Sequence, residues 1–363
     1  MSGEKLRVVL AAGGTGGHLF PAESLANALI ARGAMVDLVS DDRASIYAET
    51  FPAPLHAVTS GTVTGKGFFG RLKGAIALAV GTRQALKLMD RLKPDVVVGF
   101  GGYPTVPPVY AATMRRIPTI IHEQNGVMGR ANRFLAPKVT RIATGFPLKS
   151  GDFSEKTSVV GNPVRPPVLV ASAVPFPALA AGSTLHLLVF GGSQGARVMS
   201  EVVPPAIALL PSEARGRIHL VQQAREEDRE RVEKAYQLMG VKAEVSPFFK
   251  DMPARIAASH LVVSRSGAST VAELSVIGRP SILVPLPGSL DQDQAANARV
   301  LADVGGATLQ PQAEFTPEWL AGEIARVLAD PESLSAAAVA ARSVAMPDAA
   351  ERLADLVFAT ARR

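Results

Sequence analysis

Cysteine is absent from this chain, so no disulfide can brace it and no thiolate can ligate a metal. That absence fits a reducing compartment. Aromatic residues make up only 5% of the sequence, and neither an RNA-binding aromatic signature nor a Cys/His finger spacing occurs, so no nucleic acid is expected as a partner. Long apolar runs are also missing. The stretch Ala75 to Val80 is closed by Gly74 and Gly81, far short of the ~18 residues of a spanning helix, so any membrane contact should be peripheral. Met1 to Arg7 lead straight into Val8-Val9-Leu10 without an apolar segment of signal-peptide length, which points to the cytoplasm. No His/Asp cluster has clear metal-ligand spacing, so neither a metal nor another cofactor is expected.

What is present is enough apolar sequence for two cores. The 363 residues exceed the size at which a single core keeps growing, and 47% are apolar against 19% charged. The 38 Lys and Arg outnumber the 32 Asp and Glu, a +6 balance that favours anionic partners such as phosphates or acidic lipid headgroups. Short β-branched runs at Arg7 to Leu10, Met35 to Val39, Asp95 to Val98, Thr119 to Ile121 and Arg141 to Ala143 alternate with helical patterns. Their apolar continuity predicts strands buried on both faces, hence a parallel, doubly wound sheet. A helix is expected from about Pro21 to Arg32, with Pro21 near its first turn and Gly33 as its stop.

The pattern restarts at Leu185 to Phe190, followed by Arg217 to Val221, Val241 to Val245, Leu261 to Val263 and Ser281 to Val284. Between the halves, Gly161 to Pro177 carries Pro163, Pro166, Pro167 and Pro175, which should break regular elements, and the boundary is placed near Asn162. The Ala-rich end from about Ser333 reads as helices, the last of which fits either domain.

Each half opens with a strand, a glycine-rich turn and a helix. The turns are Gly13-Gly14-Thr15-Gly16-Gly17 and Gly191-Gly192-Ser193-Gln194-Gly195, and a further pair, Gly101-Gly102, follows the strand ending near Gly99. Glycines at such corners let backbone N–H groups approach a phosphate, and the following helix adds the positive end of its dipole. A dinucleotide-binding dehydrogenase would place an acid near Asp41, but the third fingerprint position here is Leu19, too large for close packing of helix on strand. His18, beside the first glycines, is a candidate general base, because an imidazole titrates near neutrality and a helix N-terminus disfavours its charged form. It could equally cap the turn. The polar cluster His122-Glu123-Gln124-Asn125-Gly126 after an apolar strand is either a ligand-facing loop or loop structure.

Taken together, Gly13 to Pro21 (GGTGGHLFP), Gly99 to Pro104 (GFGGYP), His122 to Gly126 (HEQNG), Gly191 to Arg197 (GGSQGAR) and Arg265 to Glu273 (RSGASTVAE) resemble the signature loops of the MurG family. Members of that family are bacterial transferases that add N-acetylglucosamine (GlcNAc) to lipid I, undecaprenyl-pyrophosphoryl-MurNAc-pentapeptide, to give lipid II. The resemblance implies a GT-B fold of the α/β class, with two Rossmann-like doubly wound parallel-sheet domains facing a cleft. Residues 1–162 would form the acceptor and membrane-associating domain and residues 163–344 the UDP-GlcNAc domain, with a C-terminal helix of about 345–363 returning to the first.

On the donor side the resemblance points to Glu273 for the ribose hydroxyls and to Arg265 and Ser193 near the phosphates. Gly192, Gln194, Ser266 and Gly267 belong to the same loops. Phe248 or Phe249 would meet the uracil, and Gln294, in Asp291-Gln292-Asp293-Gln294, the sugar. An Asn that some members carry after the third glycine loop is Ser200 here. On the acceptor side it points to Gly14, Thr15, Gly16, Gly17, His18, Tyr103, His122, Glu123, Asn125, Asn132 and Arg165. The implied reaction is a metal-free inverting displacement with His18 as base, His122 and Glu123 being alternatives. Lys66, Phe68, Phe69, Arg71, Leu72 and Lys73, with Ile76 and Leu78, combine apolar and basic residues as an anionic membrane surface would require, which places the protein on the cytoplasmic face of the plasma membrane. A transferase with another acceptor, a UDP-GlcNAc 2-epimerase and a non-catalytic nucleotide-sugar-binding protein are the alternatives.

Overall fold

The computed structural model describes residues 5–41, 51–61, 68–148, 153–192, 195–289 and 292–361, with side chains of the helix that opens at Phe68 described from residue 73. The chain divides into one compact unit of Met1–Arg165 with Pro347–Arg363 and a second of Pro166–Met346.

The first unit runs β1 (Arg7–Ala11), α1 (Gly16–Ala31), β2 (Met35–Ser40), β3 (Leu55–Ala57), α2 (Phe68–Leu92), β4 (Val96–Gly99), α3 (Val106–Met114), β5 (Thr119–Glu123), α4 (Arg130–Leu135), β6 (Arg141–Thr144) and β7 (Thr157–Val159). All seven strands are parallel, in the order β3-β2-β1-β4-β5-β6-β7. Period-2 alternation divides the apolar strands between two cores. Val8, Leu10, Val96, Val98 and Ile120 pack on the face covered by α1. Val9, Ala11, Val97, Ile121 and Ile142 pack on the face covered by α2 and α3. Helix α1 begins five residues before the expected Pro21, because Gly16 and Gly17 themselves take up its first turn. Pro21 therefore sits inside the helix, buried, where its missing N–H forfeits one early backbone bond.

The second unit runs α5 (Pro166–Ser172), β8 (Leu185–Phe190), α6 (Arg197–Leu209), α7 (Ser212–Gly216), β9 (Ile218–Gln223), α8 (Glu226–Leu238), β10 (Lys242–Ser246), α9 (Met252–Ala258), β11 (Leu261–Ser264), α10 (Ala268–Ile277), β12 (Ser281–Leu283), α11 (Asp293–Ala302), β13 (Ala307–Leu309), α12 (Pro317–Ala329) and α13 (Glu332–Ser343). Its six strands are parallel in the order β10-β9-β8-β11-β12-β13. The proline-rich segment read as irregular contains α5, since Pro166 and Pro167 occupy helical positions that need no N–H donor. Arg279, fully buried, donates to the carbonyls of Ala257, Ile277, Gly278, Val174 and Pro175 and so ties α9 and α10 to the segment before β8.

The last helix, α14 (Ala349–Ala361), belongs to the first unit. Leu353, Ala354 and Val357 are buried with Leu25 and Leu29 of α1, while Arg32 pairs with Glu351 and, at 2.6 Å, with Asp355.

Candidate functional site

In a doubly wound sheet the loops leaving adjacent strands part to opposite faces where the strand order reverses, which opens a crevice at the carboxyl ends. The first sheet reverses between β1 and β4. There Gly13 N donates to Gly101 O at 3.3 Å, joining the two glycine turns. Gly101 and Gly102 have φ of 85° and 77°, a region that side-chain-bearing residues rarely adopt. His18 is the third residue of α1, and its ring lies against both turns. A Cβ on Gly13 would come within 3.2 Å of His18 Nδ1, and one on Gly101 or Gly102 within 3.4 Å of the ring carbons. These glycines therefore make room for an imidazole. Thr15, the N-cap, spends its hydroxyl on His18 Nδ1 at 3.0 Å instead of on the backbone of the first turn.

Gly14 and Gly16 are half-buried and Gly17 is exposed on the same turn. Tyr103, also half-buried, follows Gly102, and Thr105 Oγ1 fixes that loop by donating to Gly101 O at 2.6 Å and Ala11 O at 3.1 Å. Arg165 stacks on Phe20, 4.2 Å from the ring centroid, two residues beyond His18. Burial pushes the nearby Glu23 carboxyl up, an effect that Arg165 opposes.

The HEQNG residues take a different place from the one expected. His122 is completely buried at the end of β5. Its Nε2–H donates to Gly161 O at 3.0 Å, and its Nδ1 accepts from Gln124 Nε2 at 3.2 Å. Burial pushes its pKa down to about 4, so it is a neutral imidazole with both nitrogens engaged. Neither a base nor a ligand contact is open to it. Glu123 is buried as well and accepts from Asn125 N, Asn125 Nδ2, Gly129 N and Asn132 Nδ2, with burial raising its pKa against the pull of those donors. With both oxygens so occupied, it too is withdrawn as an alternative base. Asn132 is buried, whereas Asn125 is half-buried at the rim. Gln124 also donates to Phe100 O, the residue before Gly101, so this network braces the turn under His18 from below. Asn162 extends it by donating to Gln124 O, a role that no local motif announces because its partners come from separate strands.

The second sheet reverses between β8 and β11. Gly191 closes the turn after β8 so tightly that a Cβ would fall 2.1 Å from Ala196 N, and Gly192 has φ of 90°. Ser193 and Gln194, and Asp291 in the later loop, lie outside the described residues. Helix α10 starts from Gly267, and Glu273 is half-buried along it. Ser266 donates to Gln294 O, Asn297 to Ser266 O, and Gln294 Oε1 accepts from Leu286 N, so the loop after β11 and α11 form one unit.

Two donor expectations change here. Arg265 is largely buried and donates to Val284 O, Pro285 O and Gln312 Oε1, so its guanidinium holds the turn after β12 and is not an extended phosphate arm. Phe249 is buried under Arg255 and belongs to the interior, which leaves the exposed Phe248 as the aromatic of that turn able to meet a base. Among the described residues no group of three His, Cys, Asp or Glu can hold a metal, and no helix is long and apolar enough to cross a membrane.

Two parallel sheets, each with glycine turns at its reversal of strand order, are the architecture of a GT-B glycosyltransferase. Residues 8–144 match the glycosyltransferase family 28 N-terminal domain and residues 186–353 the glycosyltransferase family 28 C-terminal domain. The UDP-N-acetylglucosamine--N-acetylmuramyl-(pentapeptide) pyrophosphoryl-undecaprenol N-acetylglucosamine transferase of Methylobacterium sp. (strain 4-46) is 57% identical over 98% of this chain and 96% of its own length. Its counterpart in Chelativorans sp. (strain BNC1) is 54% identical over 98% and 95%. Among solved structures, Acinetobacter baumannii MurG superposes with a TM-score of 0.80 at 29% identity, covering 98% of this chain and all of that one. UDP-GlcNAc 2-epimerase from Neisseria meningitidis shares the fold, with a TM-score of 0.66 at 13% identity. The chain belongs to glycosyltransferase family 28, and within it to the MurG family of N-acetylglucosaminyl transferases.

Proposed function

We propose that this protein transfers GlcNAc from UDP-GlcNAc to the C4 hydroxyl of MurNAc in lipid I, releasing UDP and lipid II. The observation that carries the chemical part is His18, seated between the glycine turns at the carboxyl ends of β1 and β4 with Nδ1 bonded to Thr15. With the proton on Nδ1 donated to Thr15 Oγ1, Nε2 presents the lone pair that removes the proton of the attacking hydroxyl. The hydroxyl oxygen then forms its bond to the anomeric carbon as the bond to UDP breaks, which inverts the configuration. The departing diphosphate gains negative charge, which the Gly191-Gly192 turn and the N-termini of the helices after β8 and β11 are suited to stabilise. In this reading the first unit takes the acceptor, the second takes the donor, and no metal is required.

Lipid I is held by its membrane anchor, so the acceptor unit has to reach a bilayer. Along α2, Lys73, Ile76 and Val80 are exposed. Met114 at the end of α3 and Phe134 on α4 are exposed too, and Lys138 lies over the Tyr110 ring beside them. Apolar residues among cations suit an interfacial surface with anionic headgroups, on the cytoplasmic face of the plasma membrane. The sequence expectations for Lys66, Phe68, Phe69, Arg71 and Leu72 fall outside the described residues and side chains.

Incubation of the purified protein with UDP-GlcNAc and a lipid I analogue tests the reading. UDP and a disaccharide-lipid should form in equal amounts. Release of UDP-ManNAc would reassign the protein as an epimerase, and donor binding without turnover would reduce it to a binding protein.

A further inference from the structure

Among the described residues β3 is a terminal strand of the first sheet and carries a second feature, two strands away from the reversal between β1 and β4. β3 pairs only with β2 among the described strands. On that side Pro54 O accepts from Leu38 N and Val58 N donates to Ser40 O. Backbone groups alternate sides along a strand, so those of Leu55 and Ala57 point away from β2, to the side where no described strand pairs with β3. A cavity of about 490 Å3 lies between this edge and the flank of α2, lined by Leu55, His56 and Ala57 on one wall and Lys87, Leu88 and Arg91 on the other.

The groove is cationic. Lys87 and Arg91 are four residues apart on one exposed helix face, and neither pairs with a carboxylate among the described residues. Arg91 reaches only His56 Nδ1, at 3.5 Å, and the opposite nitrogen of that ring donates to Asp37 Oδ1 at 2.8 Å. Asp37 is in turn neutralised by Arg7, so the imidazole is fixed as part of the wall. Leu88 supplies apolar lining on the α2 side, whereas the Leu55 side chain packs with the core on the other face of the sheet and lines the cavity from the strand edge.

We infer that this groove binds an extended acidic peptide segment of another protein, added to the sheet beside β3. An edge strand facing a helix across an open groove is the geometry of strand addition, in which main-chain bonds give affinity and alternate side chains enter the groove. Lys87 and Arg91 select acidic side chains at those alternate positions. This inference is independent of the transferase reading and uses none of its residues.

The test uses the full chain and a fluorescein-labelled seven-residue peptide of alternating Glu and Val, with a Lys/Val peptide as control. Anisotropy should show binding of the Glu/Val peptide alone, and Lys87→Glu with Arg91→Glu should weaken it by at least about tenfold. Ala57→Pro removes an outward N–H that β2 does not use, so it should abolish binding with the melting temperature unchanged. If that variant does not fold, amide exchange on the wild type substitutes: the Leu55 and Ala57 amides should slow when the peptide is added. Undiminished binding by Ala57→Pro, unchanged exchange at those amides, or no binding of the Glu/Val peptide overturns the inference. So does a groove that takes phosphatidylglycerol vesicles in a Lys87- and Arg91-dependent way but not the peptide.

Discussion

At the reversal between β1 and β4 the side chain set against the glycine turns is the imidazole of His18. At the reversal between β8 and β11 it is Arg225, which would lie 3.1 Å from a Cβ on Gly195 and donates to Gly195 O, while the guanidinium of Arg265 is spent on two carbonyls and Gln312. The bracing differs in the same sense. In the first unit His122 and Glu123 hold the loops, and the bond that His122 Nδ1 accepts from Gln124 exists only while the ring is neutral. In the second, Arg265 and Arg279 do so, and although burial pushes Arg279 down to about 10 it stays charged at neutral pH. One fold thus offers a group that can exchange a proton in one unit and fixed donors in the other. That division suits a reaction with a base on the acceptor side and anion stabilisation on the donor side.

The sharpest way to break this contrast is His18→Ala. Loss of a general base lowers kcat by roughly 10²- to 10⁴-fold, about 3–5 kcal/mol of transition-state stabilisation. UDP-GlcNAc affinity, measured by calorimetry without acceptor, should change by less than about twofold, because His18 belongs to the other unit. An unchanged kcat would remove the proton-exchange role from the first unit and the contrast with it.

The next largest effect is on stability against pH. The folded-state pKa of His122 lies at about 4, below its ordinary value of 6.5, so it stays neutral in the fold and the unfolded chain takes up its proton first. Its contribution is fully present above pH 6.5 and is lost as pH falls toward 4, for a total of roughly 3 kcal/mol. Glu123, raised by burial, acts with the opposite sign above about pH 4.5, so the comparison must be made by difference. His122→Gln should lower stability at pH 7 yet flatten the urea-unfolding dependence between pH 6.5 and 4. If its slope matches the wild type, His122 is not what makes the first unit acid-sensitive. His260, at the amino end of the second sheet, is also pushed to about 4 by burial and by His186 and Arg279, so the residual slope reports on that side.

Much of this organisation was legible in the sequence because the information is local. Continuous apolar runs such as Val8 to Leu10 marked strands buried on both faces, and glycine turns marked the strand ends that carry loops. β3, β7 and β13 escaped notice because their three residues show neither a period nor a continuous apolar run, whereas β12, just as short, is marked by Ile282-Leu283-Val284. The start of α1 was misplaced because glycine is a poor helix former in isolation, whereas here it takes up the first turn beside His18. The polar cluster around His122 allowed either a ligand-facing loop or loop structure, and Arg265 was placed near the phosphates through the family resemblance. The burial of these two residues comes from partners at Gly161, Val284 and Gln312, which no window around either residue contains.

The smallest expected effect concerns α14, which completes the first unit from the far end of the chain, whereas the second unit is built from one continuous stretch. Two interactions hold it: Leu353, Ala354 and Val357 buried against α1, and Arg32 with Glu351 and Asp355 at the surface. The side chains of Glu351 and Asp355 are 55% and 72% exposed, so water screens the pairing and long side chains lose entropy in forming it. Arg32→Ala should therefore cost at most about 1 kcal/mol, and less at high salt. Leu353→Ala, which leaves a cavity in a fully buried site, should cost about 2–5 kcal/mol. Paired urea titrations of the two variants give the ratio directly. An Arg32→Ala loss as large as that of Leu353→Ala would mean that the helix is held by its ions, and the first unit would then be salt-sensitive in a way the second is not.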